Sequence, residues 1–338
     1  MSGGSLAERL GVYLSRAWNE PVTIEKLARI SGGASRETYK FDAVTPGGLR
    51  PLILRRDPPA SLIETDRRSE FLALKSFHGK GVAAPEPVIL ELEGAELERP
   101  FFVMARIDGG AASSPFAPDA YAPHAAKLGE DFFGTLGRIA AADPATLPIA
   151  ELGDPPTLDQ CWRRELDYWS GVIDADELHP QPIVRAAIRW LRRNPPPPAQ
   201  KLSVVHGDYR SGNFLHDGQG KMIAVLDWEM THIGDPLEDL GWAMDPLWRH
   251  FDMGRVAGMV TKAEAIAIWE RASGLKVDLK AFVWWELFAS VKGQAIWISS
   301  AKEYRDGGYK EPILCFSGWY TARRQDEILA ERLAELAA

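Results

Sequence analysis

Four residues in one stretch of the chain have the types and spacing to do chemistry on an oxygen nucleophile. In VVHGDYRSGNFLHDGQGKMIAVLDWEMTHIGDPLEDLGW, residues 204–242, His206, Asp208 and Asn213 occupy a loop without apolar filler, and Asp227 follows further on. Two valines end a strand before that loop. Gly/Asp turns then fold a β-hairpin whose return strand, AVL, delivers Asp227 beside Trp228. The hairpin brings the Asn213 amide and the Asp227 carboxylate together. Paired hard oxygens suit Mg²⁺, which takes one or two protein carboxylates and keeps water and substrate phosphates. Asp208 would sit beside that ion as a base for an incoming hydroxyl. Asp, Asn and Gly are also ordinary turn formers, so the reading rests on their order and on the elements that carry them.

Those elements fall into two groups. The first 110 residues read as β-rich after an opening helix, in which Leu6, Leu10, Tyr13 and Ala17 recur at helical spacing until Pro21. SGGASRETYKFDA is a glycine-bearing turn running into a strand, and TPGG makes the next turn. PLILRR follows as a strand, with Leu52 and Leu54 on one face and Ile53 and Arg55 on the other. Residues 61–79 read as helical and place Glu70 on the stripe of Ala73, Leu74 and Phe77. A carboxylate there is costly unless paired; Arg55 is the natural partner and Arg67 the alternative. VILELEG and FFVMARI are further strands. An Ala/Ser/Pro linker at 111–123 leads to helical patterns over 124–194 and a stiff PPPP connector at 195–198. Short strands then carry the polar loop, and the chain from about 236 is helical.

The pattern HGDYRSGN…VLDWE…GDPLEDL resembles the aminoglycoside phosphotransferase and choline kinase branch of the protein-kinase-like superfamily. Within that branch it is most similar to the bacterial phosphotransferases related to the kinase-like domain of acyl-CoA dehydrogenase fusions. The likeness extends over roughly residues 25–245. It implies an α+β, two-lobed fold, with a small antiparallel β-sheet N-lobe (1–107) and a larger, mostly helical C-lobe (108–338). It also implies an ATP-dependent transfer of the γ-phosphoryl group to a hydroxyl of a small molecule, with GTP as the alternative donor and Mg²⁺ as cofactor. Asp208 becomes the catalytic base, Asn213 and Asp227 the metal ligands, and His206 a scaffold residue of the catalytic loop. Gly32, Gly33 and Ser35 would cover the phosphates, Ile53 the adenine, and Arg55, backed by Glu70, would reach the phosphates. Arg55 departs from the family's lysine, and the two cations are not equivalent. Met104 would guard the back of the pocket, with the Ala105 carbonyl and Ile107 amide bonding adenine. Asp239 is expected to support the catalytic loop. Asp235 and Glu238 either face the substrate or serve as cap and solvated charge. The departure at Arg55 keeps a second reading open, a kinase-like nucleotide-binding module with little or no transfer.

Composition narrows the classes. Of 338 residues, 39 are Lys or Arg and 47 are Asp or Glu, a formal net charge of −8. That is the wrong sign for a nucleic-acid binder, which must neutralise phosphates. No run approaches the roughly 20 apolar residues of a membrane span. MSGGSLAERL lacks the basic-then-apolar pattern of a signal peptide, so a cytoplasmic location is expected. Cys161 and Cys315 offer neither a disulfide framework nor zinc spacing. Twelve tryptophans, most of them beyond residue 160, concentrate where this family builds its acceptor site. Aromatic walls would suit an amine by cation–π attraction, yet Trp284, Leu287, Phe288, Val291 and Ala295 have helical spacing, which favours plain core.

Overall fold

The computed structural model describes residues 4–30, 37–57, 67–114, 117–249, 251–307 and 311–337. The N-terminal lobe is a five-stranded antiparallel sheet of β1 (Thr23–Ile30), β2 (Glu37–Thr45), β3 (Gly48–Arg56), β4 (Pro87–Glu91) and β5 (Phe101–Ala105), in the order β1-β2-β3-β5-β4. Helix α1 (Leu6–Trp18) starts in a capping box, with Ser5 and Glu8 satisfying each other's backbone amides, and stops at Asn19 in the left-handed region. It covers one face of the sheet: Leu10, Tyr13 and Leu14 pack with Leu52, Leu54, Phe101 and Val103. The period-2 alternation of β3 and β5 sends Ile53, Phe102 and Met104 to the other face. There they join α2 (Arg67–Phe77) and a core that continues into the C-terminal lobe. The helix expected over 61–79 begins, among the described residues, at Arg67.

The C-terminal lobe is built around α8 (Leu279–Asp306), a 28-residue helix buried on most sides. Around it stand α4 (Cys161–Asp176), α5 (Pro182–Arg193), α6 (Leu237–Ala243), α9 (Pro312–Phe316) and α10 (Ala322–Ala337), while α3 (Ala125–Ala141) and α7 (Lys262–Ser273) pack on each other. Helix α3 meets α7 at Gly137, where a Cβ would lie 2.6 Å from that of Ala272. The helical reading of 124–194 holds for α3, α4 and α5 but not for 144–160, where Pro144, Pro148, Pro155 and Pro156 permit only short 3₁₀ turns and extended chain. Trp284, Trp285, Leu287, Phe288, Val291 and Ala295 are core, whereas Trp319 is 76% exposed. Two small ladders sit between the lobes: β6 (Ser203–Val205) with β9 (His232–Gly234), and β7 (Phe214–His216) with β8 (Met222–Val225). Among the described residues, no helix is long and apolar enough to cross a membrane, and both cysteines are free.

Candidate active site

The loop after β6 turns at Gly207, whose φ of 84° and 2.3 Å approach of a would-be Cβ to the Met230 carbonyl oxygen leave room for glycine alone. His206 is fully buried with both ring nitrogens committed. Nδ1 accepts from the Asp208 amide at 3.1 Å, and Nε2–H donates to the Leu226 carbonyl at 2.9 Å. Burial pushes its pKa down to about 3, so the imidazole stays neutral and ties the loop to the end of β8. Asp239, at the start of α6, accepts from the amides of His206 (2.6 Å) and Gly207 (2.9 Å) and so clamps the same loop from the other side.

Asp208 is thereby presented with three donors around its carboxylate. Trp242 Nε1–H reaches Oδ1 at 2.8 Å, Arg210 Nε reaches Oδ1 at 3.1 Å, and Asn213 Nδ2 donates to Oδ2. Burial pushes its carboxyl above the usual range while these donors favour the charged form. Asn213 also donates to the Asp208 carbonyl at 3.0 Å. With both donor contacts on its nitrogen, its side-chain oxygen is left for another partner.

The hairpin brings Asn213 and Asp227 together. Phe214 pairs with Val225, and the Leu226 amide donates to the Asn213 carbonyl at 2.9 Å. Asp227 then turns out of β8 in the left-handed region, φ 58° and ψ 56°, which aspartate tolerates better than most residues. Its side chain is 44% exposed. Oδ1 pairs with Arg55 at 2.7 Å, and Oδ2 accepts no hydrogen bond among the described residues. One amide oxygen and one carboxylate oxygen on adjoining strand ends form a hard donor set that fits Mg²⁺.

Arg55 reaches this point from β3. Its side chain is 8% exposed and spans three carboxylates: Glu70 on α2 at 2.8 Å, Asp227 at 2.7 Å and Glu229 at 3.3 Å. Burial works against its charge, but Glu70, Asp227 and Glu229 raise its pKa further above its ordinary value. The same arginine lowers that of Asp227, against the opposing effect of burial. Arg67 lies 4.0 Å from the other Glu70 oxygen, so both candidate partners of Glu70 are present, with Arg55 the nearer. Ile53 and Met104 pair across β3 and β5 on the face towards the cleft. Ala105 ends β5, with its amide donating to the Glu86 carbonyl at 2.8 Å, and Ile107 follows outside any helix or strand. Gly32, Gly33 and Ser35 lie outside the described residues.

Asp235 and Glu238, the candidates to face the substrate, are both buried. Asp235 is buried and accepts from the Leu237 amide (2.9 Å) and the Trp285 indole (3.1 Å). Glu238 is 1% exposed, between Lys292 Nζ at 2.9 Å and His232 Nε2 at 3.0 Å. Burial opposes its charge, yet Lys292 and His232 hold it down to about 2. His232 is held up at about 9 by Glu165 and Glu238 against its own burial. Glu165, Glu238, His232 and Lys292 together form an internal balanced cluster. Lys292 stands over the Trp242 ring at 5.6 Å, so the cluster abuts the indole that holds Asp208. Sequence reasoning missed Arg210, Trp242, Glu165, His232 and Lys292. Arg210 alone carried a signal, two residues from Asp208 within the motif. A cavity of about 370 Å³ opens over the cluster, lined by Ser69, Arg164, Tyr168, Trp169, Glu229 and His232 among others.

Comparison with known proteins bears on the fold and the family. Acyl-CoA dehydrogenase family member 11 of Gallus gallus is 26% identical over 243 residues, 71% of this chain and 30% of that protein. The chain spans only 30–36% of the length of the curated relatives it matches first. A Ralstonia eutropha crystal structure assigned to the aminoglycoside phosphotransferases superposes with a TM-score of 0.75 at 20% identity, covering 97% of this chain and 98% of that one. An aminoglycoside phosphotransferase in ternary complex with AMP-PNP and hygromycin B superposes at 0.59 and 16% identity, over 97% and 99%. The fold is kinase-like. A model of the phosphotransferase enzyme family matches residues 26–275, and the chain belongs to that family.

Proposed function

We propose that the protein is a small-molecule kinase, passing the γ-phosphoryl group of ATP to an alcohol. The observation that carries this reading is the gathering of Asp208, Asn213 and Asp227 by one loop and hairpin, with Asn213 and Trp242 donating to Asp208 and Arg55 to Asp227. Asp208 accepts or orients the hydroxyl proton of the acceptor. Asn213 Oδ1 and Asp227 would hold Mg²⁺, which when bound neutralises charge on the phosphates. Arg55 supplies a permanent cation towards the phosphates, with Glu70 setting its direction, and Ile53 and Met104 form an apolar roof for the base. Such a transfer relies on positioning and charge compensation more than on covalent help. A relative in the same fold holds AMP-PNP with hygromycin B, which supports the nucleotide and an hydroxylated acceptor as ligand classes.

Asp208→Asn should lower turnover at least about a hundredfold while leaving calorimetric affinity for AMP-PNP with Mg²⁺ within a few fold. An unaltered rate would remove Asp208 from the reaction. ADP release, scored over choline, amino sugars, aminoglycosides, macrolides and hydroxyacyl compounds, finds the acceptor. The alternative is a nucleotide-binding module with little transfer, favoured by the occupation of Asp227 by Arg55. Metal-dependent nucleotide binding without ADP release on any acceptor would select it.

A further inference from the structure

An imidazole and two carboxylates from α4, β9 and α6 meet at the cavity beside α4. His232 Nε2 lies 3.5 Å from Glu165 Oε1 and 3.0 Å from Glu238 Oε2, and the three atoms all fall within 4.8 Å of one another. Two donors that each sit about 2.0–2.2 Å from one ion are separated by about 3.0–3.5 Å, the spacing found on both sides of the ring. His232 Nδ1–H donates to the Met230 carbonyl at 3.0 Å. A backbone partner there fixes the tautomer and points the Nε2 lone pair at the carboxylates. Lys292 takes Glu238 Oε1 at 2.9 Å and leaves Oε2, the oxygen that faces the ring.

We infer that Glu165, His232 and Glu238 form a Zn²⁺ site, separate from Asn213 and Asp227. It stands on these residues alone, whether or not the chain transfers phosphate. Imidazole with two carboxylates suits Zn²⁺ better than Mg²⁺, which prefers an all-oxygen octahedron with retained water. In the metal-free protein a proton fills the position, because Glu165 and Glu238 hold the imidazole up at about 9 against its burial. Zn²⁺ brings two charges where the proton brings one, and binding releases that proton to solvent. Three protein ligands leave a coordination position for water or an added ligand, and Glu165 and His232 both line a cavity of about 370 Å³. The Trp169 indole N–H lines the same cavity, 2% exposed and without a hydrogen-bond partner among the described residues. It is available to a water or anion carried by the ion. Through Glu238 and Lys292 the site adjoins the Trp242 ring whose N–H donates to Asp208.

Zn²⁺ titrated into the full chain at about pH 7.5, in a weakly buffered indicator solution, reads ion binding and proton release together and needs no turnover. The wild type is expected to bind one such ion with release of about one proton. His232→Gln should weaken that binding at least about a hundredfold, beyond what the loss of an outer-shell partner costs, and should remove the proton release. Glu165→Gln asks the same question at a side chain that is 12% exposed, should the histidine variant not fold; circular dichroism is the check. Asp227→Asn should leave Zn²⁺ affinity within a few fold. Absence of Zn²⁺ binding in the wild type overturns the inference, as does unchanged affinity in a folded His232→Gln or Glu165→Gln. Loss of the binding in Asp227→Asn also overturns it, since the ion would then belong to the other carboxylate.

Discussion

Lys292→Met removes one half of the most deeply buried ion pair near the site. Lys292 Nζ and the Glu238 carboxylate are 2.9 Å apart, with side chains 2% and 1% exposed. At an effective dielectric of about 20, their attraction is about 6 kcal/mol, most of it offset by the desolvation of both charges. The substitution keeps the volume of the stem and leaves Glu238 buried with His232 alone. Breaking a buried pair from one side costs about 3–5 kcal/mol, and the surviving histidine places the expectation near about 3 kcal/mol. For a chain of this size that corresponds to a melting shift of about 4 °C. Urea denaturation of Lys292→Met, Glu238→Gln and the double variant measures it as a cycle. The double variant has no stranded charge, and the glutamine can still accept from His232. It should therefore recover about 2 kcal/mol relative to the sum of the single losses. A loss under about 1 kcal/mol for Lys292→Met, or strict additivity in the double variant, would refute the view that these charges stabilise α6 as a pair.

The same cluster sets a pH dependence. His232 sits at about 9 in the folded protein, above its unfolded value of about 6.5. Its contribution is thus full below that value and disappears as pH rises through 9; stability should fall by up to about 3 kcal/mol across the interval, and His232→Gln should flatten the slope. Glu238, at about 2, contributes above about pH 4.3 and loses that contribution as pH falls towards 2, giving the acid limb. Trp242→Phe keeps an aromatic side chain but deletes the donor to Asp208, and should lower kcat about tenfold with nucleotide KM within twofold. Trp248→Phe, whose indole N–H has no hydrogen-bond partner among the described residues, is the control, and an equal loss there would assign the effect to packing.

The fold and the centre of the site were legible because their signals are local. Leu52 and Leu54 against Ile53 and Arg55 is a two-residue alternation, and the structure sends the pairs to opposite faces. The hairpin joining Asn213 to Asp227 is written in turn residues between short apolar strands. What escaped depends on contacts far apart in sequence. Strand β1 was missed because TIEKLARI is an edge strand without alternation, with Lys26 at φ 52° inside a register shift. Strand β9 is three residues long and exists through its pairing with β6. Trp242 reads as core and is core, yet one N–H of that buried ring faces Asp208. Glu238 looks like an exposed helix-start acid until Lys292, on another helix, is brought against it.

The N-terminal sheet is a wall shared by two unequal cores. On one side α1 rests on a small cluster confined to the first lobe; on the other, Ile53, Phe102 and Met104 belong to a cluster that runs through α2 into the helical lobe. The two sides therefore differ in what must come apart for an amide to meet solvent. Undocking α1 exposes only the small cluster and can occur as a local opening, whereas β5 is released only when the larger core gives way. The sheet face towards the cleft is thus anchored in the larger core, and α1 covers only the other face.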